Sequence, residues 1–154
     1  MLSLPTCAQA VGDYRTTAGG VANFNSRPSW ERWDGSQWVA NSAVLDLSKT
    51  FTIRHSKTIP LAGVTGRVAR IILEADANAG TVGTLTVNGP LICTNLQAGG
   101  VGTQLTVKDD GLSVTNTAIS DKAVVMLLSS GSLGKVAVSS GARLELQTGV
   151  SNAT

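Results

Sequence analysis

GTLTVNGPLIC (83–93), TQLTVKDDGLSV (103–114), VVMLLSSGSLGKV (124–136) and VAVSSGARLELQTG (136–149) share one pattern. Each is a short apolar strand, a glycine-containing corner and a second short apolar strand. Val87 and Val107 stand 20 positions apart, Gly89 and Gly111 22, Gly111 and Gly131 20, and Gly131 and Gly141 10. Turns of a parallel β-helix run at about this length, and a gap of ten suits part of a turn. Alternate residues are apolar in Leu85/Val87, Leu105/Val107, Val136/Val138 and Leu144/Leu146, so one face of each strand points inward. One rung cannot bury its own apolar face, so the rungs must stack on one another.

The competing architecture is an antiparallel sandwich or barrel, which also shows short strands between turn residues. The corners NGP, DDG, SSG and SSG recur at near-constant offset and are too mixed for the two-residue hairpin signal. The expected fold is therefore all-β, a right-handed parallel β-helix (β-solenoid) closed at its N-terminal end by an aromatic cap hairpin.

Composition agrees. The chain has 154 residues, of which 14% are charged and 4% aromatic, against roughly a quarter charged in an average soluble domain. Low charge with many small polar residues suits an extracellular β-rich repeat. The net charge is +2 without a basic run, which argues against a nucleic-acid partner. No stretch approaches the ~18 apolar residues of a membrane span.

Three segments follow from the chain itself. Residues 1–10, MLSLPTCAQA, read as a signal-peptide remnant, with Ala8-Gln9-Ala10 as a small-x-small cleavage site. The basic start of such a signal is missing, which points to a start upstream of Met1 or a truncated chain. Lipidation at Cys7 competes, but Pro5-Thr6 is a poor lead-in. Residues 11–40 form the cap, where Trp30, Trp33 and Trp38 fall within nine positions and Asp34-Gly35 marks a tight turn. Residues 41–154 are the rungs, with a truncated C-terminal end expected. In residues 41–82, Val44, Leu45, Leu47, Phe51, Ile53, Ile59 and Leu61 are candidates for the interior. The segment 68–79 has good helix formers, but its β-branched Ile71-Ile72 favours a strand.

The opening resembles a known group. Gly12-Asp13-Tyr14-Arg15, a small-residue spacer, and Trp30-Glu31-Arg32-Trp33-Asp34-Gly35-Ser36-Gln37-Trp38-Val39 are similar to the start of mature Bacteroidota surface proteins. Those read GDYRS, a spacer with GxW, then WExWxGxxWV and β-helix repeats. The resemblance implies an exported, adhesin-like cell-surface protein, often a type IX secretion substrate. Val21-Ala22-Asn23-Phe24 stands where the spacer has its tryptophan, which gives that place to Phe24.

Two readings of the tryptophans remain open: a cap over the apolar end of the stack, and a glycan platform at Trp30, Trp33 and Trp38. No catalytic constellation has specificity. His55 is the one histidine, and no GxSxG elbow occurs. Cys93 reads as a buried apolar residue rather than a nucleophile. Asp109-Asp110-Gly111 reads as a corner rather than a calcium loop, because no GGxGxD repeat accompanies it. Glu74 with Asp109 is the one carboxylate pair to weigh for hydrolysis across rungs. Neither a metal nor a cofactor is expected. Two functions of different class follow: a noncatalytic exported solenoid with a polysaccharide or cell-surface glycan as partner, and the N-terminal part of a polysaccharide lyase or glycosidase.

Overall fold

A computed structural model describes residues 9–18 and 22–147. The remnant up to Ala8 with Cys7, the Gly19-Gly20 pair, Val21 and residues 148–154 lie outside it. Among the described residues there is no α-helix, and no helix is long and apolar enough to cross a membrane.

The chain is a β-solenoid of about five turns. Its long sheet stacks β1 (Tyr14–Thr16), β4 (Thr50–Ile53), β6 (Arg67–Asp76), β9 (Leu91–Gly99), β11 (Leu112–Ser120) and β13 (Lys135–Val138) in parallel. The second sheet stacks β5 (Ser56–Ile59), β8 (Thr84–Val87), β10 (Gln104–Val107), β12 (Val124–Leu127) and β14 (Arg143–Leu146), also in parallel. Among the described residues, β8 to β14 pair only in parallel, not as the hairpins that a sandwich requires. Parallel pairing needs long crossovers, and each turn of the solenoid supplies one.

The expected register is the observed one. Leu85, Leu105, Val125 and Leu144 form one inward column, and Val87, Val107, Leu127 and Leu146 the next. In β9 the inward residues are Leu91 and Cys93, then Leu96 and Ala98. The three-residue step from 93 to 96 breaks the alternation and marks a corner, repeated in β11 between Val114 and Thr117. Each buried aliphatic side chain contributes about 1.5–3 kcal/mol relative to exposure. The strand reading of 68–79 holds through Asp76. After that the chain leaves the stack in a short hairpin, where β7 (Thr81–Val82) returns antiparallel to β6.

Some inward assignments need correction. Val44 and Leu61 are 71% and 83% exposed, because both lie in connections rather than strands. Val138 and Leu146 keep the inward register, opposite Ile119 and Leu127, but are 47% and 49% exposed because they sit in the last described rung.

The N-terminal end is sealed on both sheets. β2 (Trp30–Trp33) pairs antiparallel with β1, and β3 (Trp38–Ala40) pairs antiparallel with β2. Over the second sheet, Phe24 N donates to Thr58 O and Thr58 N to Ala22 O, so segment 22–24 occupies the edge of β5. Inside, Trp30 and Phe24 lie fully buried on Phe51, with ring centroids 5.1 Å apart in each pairing. The Trp30 indole N–H donates to Phe24 O at 2.8 Å.

Each residue of the GDYR run has a local reason. Gly12 has φ +94°, and a Cβ there would meet Lys49 at 2.9 Å. Asp13 Oδ1 accepts from Thr50 N, which fastens the cap to β4. Tyr14 stacks on Phe51 at 4.6 Å while its hydroxyl accepts from Asp46 N. Arg15 alone turns outward.

Candidate functional site

The three tryptophans part company. Trp30 is buried in the core, so its assignment to a glycan platform is corrected: its ring faces Phe24 and Phe51, and no ligand can reach it. Strand alternation explains this, since Trp30 is registered with inward Thr16 while Glu31 and Trp33 take other parities. Trp33 and Trp38 are cross-strand partners next to the Asp34-Gly35 turn, half-buried, with ring centroids 5.4 Å apart. Asp34 Oδ1 accepts from the Ser36 and Gln37 amides, and these bonds hold its carboxyl below the usual range.

Arg15 ties this aromatic pair to the long sheet. Its guanidinium carbon lies 4.5 Å from the Trp38 ring centre, and its Nε donates to Glu31 at 2.6 Å. From Arg15 an outward column runs down the solenoid through Thr52, Ile72, Gln97, Ala118 and Ala137. A parallel column runs through Thr50, Arg70, Asn95, Asn116 and Lys135. Two shallow grooves lie on this face. One, of about 420 Å³, is lined by Asp13, Arg15, Trp38, Arg54 and Glu74 among others. The other, of about 330 Å³, runs from Arg70 past Asn95 and Asn116 to Lys135. Arg70 lines both.

Arg54 Nε donates to Glu74 at 2.5 Å and Arg54 Nη1 lies 3.6 Å from Asp76, so Glu74 is an ion-pair partner. Asp109 sits at a different corner, its Oδ1 accepting from Gly111 N at 2.6 Å, while Asp110 accepts from the Ser129 hydroxyl. Glu74 and Asp109 are thus not brought together. Among the described residues no group of three histidines, cysteines or carboxylates could hold a metal ion.

His55 and Cys93 are likewise separate. Thr16 Oγ accepts from Arg54 N and shares a hydrogen bond of 2.8 Å with His55 Nδ1. Burial, then the charges of Lys57 and Arg54, hold the imidazole below its ordinary pKa. Cys93 is fully buried, its thiol donating to Asn95 O, and desolvation pushes its pKa up to about 11. A thiol so raised is a poor nucleophile.

Sequence reasoning missed Arg70 and Lys135, which carry no motif, the outward role of Arg15 within the GDYR run, and Lys57. The Asn95/Asn116 interval of 21 residues did match the repeat and could have drawn attention to that column. Lys57 is 2% exposed and occupies the inward column above Leu85, and burial lowers its pKa.

Comparison with known proteins adds no relative: no family model matches the chain, and no curated protein or solved structure matches it.

Proposed function

We propose that the chain is a noncatalytic, adhesin-like module of an exported or cell-surface protein, which holds a polysaccharide or surface glycan against the outer face of its long sheet. One observation carries this reading: Trp38, stacked under Arg15, opens onto a continuous outward face of six parallel strands bearing amide, hydroxyl and guanidinium groups. Aromatic rings suit the apolar faces of sugars, and fixed polar groups suit their hydroxyls. The low charge content and the cap's resemblance to Bacteroidota surface proteins support the exported setting.

Glycan-array binding of wild type and Trp38→Ala tests it, together with an assay for new reducing ends on any polysaccharide bound. Binding that Trp38→Ala weakens severalfold, without chain cleavage, is the expected outcome. Cleavage abolished by Glu74→Gln would instead make the chain an enzyme.

A further inference from the structure

The two grooves on the outer face differ in charge. Carboxylates line or flank the one near the cap: Asp13 and Glu74 within it, Glu31 and Asp76 beside its arginines. The groove from Arg70 to Lys135 is lined by no carboxylate. Arg70, Asn95, Asn116 and Lys135 occupy successive register positions on β6, β9, β11 and β13. Parallel strands lie ~4.8 Å apart, so the two cations stand roughly 14 Å apart along the axis, with one amide per rung between them. The amides are linked, Asn116 Nδ2 donating to Asn95 Oδ1 at 3.2 Å. In the adjacent outward column the side chains shrink from Gln97 to Ala118 and Ala137, which leaves room for a ring over the sheet.

Resting on the glycan reading above, we propose that this groove is a subsite for an anionic polysaccharide lying along the solenoid axis. Arg70 and Lys135 would meet its acidic groups, and Asn95, Gln97 and Asn116 its hydroxyls. A guanidinium pairs with carboxylate or sulfate in fixed geometry, whereas an ammonium acts as a point charge. The amides suit the uncharged stretch between two acidic groups. The ligand class is set by charge complementarity: a cation at each end, amides between, and no carboxylate in the groove's own lining.

Retardation of the whole chain in gels containing carboxymethyl-dextran, dextran sulfate or plain dextran tests this, since the three share a backbone and differ in charged groups. Retention by either charged polymer and not by dextran is expected, and the better of the two identifies carboxylate or sulfate as the preferred group. Lys135→Gln and Arg70→Gln should each weaken retention roughly fivefold, and Ala118→Leu should weaken it by filling the groove. Lys108→Gln, exposed on another corner, should leave it unchanged. Thermal melts of each variant separate loss of binding from loss of fold.

Equal retention by dextran, sensitive to Trp38→Ala, would overturn the anionic subsite and leave the glycan reading standing. Loss in Lys108→Gln matching that in Lys135→Gln would reduce the binding to general charge attraction and overturn the subsite. No retention by any of the three would overturn both.

Discussion

Gly134 adopts φ +60°, and a Cβ there would stand 2.0 Å from Thr115 O, a backbone atom of the preceding rung that cannot swing aside. Gly134→Ala therefore combines a left-handed backbone penalty with a clash, and should cost about 3 kcal/mol in chemical denaturation. Lys57 offers the second prediction at this scale. Its folded pKa lies below the ordinary lysine value, so the unfolded chain binds more protons and stability rises with pH. The rise falls in the window from the lowered folded pKa up to about 10.5, with a limiting slope of ~1.4 kcal/mol per pH unit for one proton. Denaturation midpoints of Lys57→Met across alkaline pH should lose that slope; an unchanged slope would place the titration on another group.

Among the elements, the cap hairpin separates two tryptophans of opposite role. Trp30→Ala opens a cavity beside Phe24 and Phe51 and should cost about 3–5 kcal/mol. Trp33→Ala removes a half-buried ring from the hairpin's outer side and should cost about 1 kcal/mol or less. Equal melting-temperature losses would contradict this division. Within a rung the same logic separates neighbours. Val107→Asp places an unpaired carboxylate in the sealed interior and should prevent cooperative folding, while exposed Lys108→Ala should lie within about 0.5 kcal/mol of wild type. Leu146→Asp belongs between them, since water already reaches that residue in the last described rung.

At the scale of the molecule, stability follows position in the stack. A solenoid sums rung stabilities and interfaces between nearest neighbours, so the middle rungs are supported on two sides. β10, β11 and β12 lie between strands on both sides, whereas β13 and β14 are paired on one side. Native-state hydrogen exchange should therefore be slowest at the amides of Leu105, Val107 and Val125 and fastest in 135–147. Uniform protection along the axis would mean that the last rung is held as firmly as the middle. The same directionality orders the outer face, where one side chain per rung repeats in register along the axis.

The sequence by itself determined the class of fold, the strand register and the inward columns. Strict alternation in LTV and LEL and near-constant corner spacing allow one stacking in which every apolar column is covered. It also determined the Asp34-Gly35 turn and the cap, because large aromatics and turn residues act locally. Tertiary structure decided what alternation could not. It sent Trp30 inward and Trp33 and Trp38 outward, because register with β1 fixes the parity. It buried Lys57, since the β5 pattern sets direction regardless of side-chain type. It exposed Val44 and Leu61, whose apolar character carries no direction once the chain leaves the strand. The candidate site was illegible for the same reason: Arg15, Arg70, Asn116 and Lys135 lie on four separate strands, and only parallel stacking brings them onto one face.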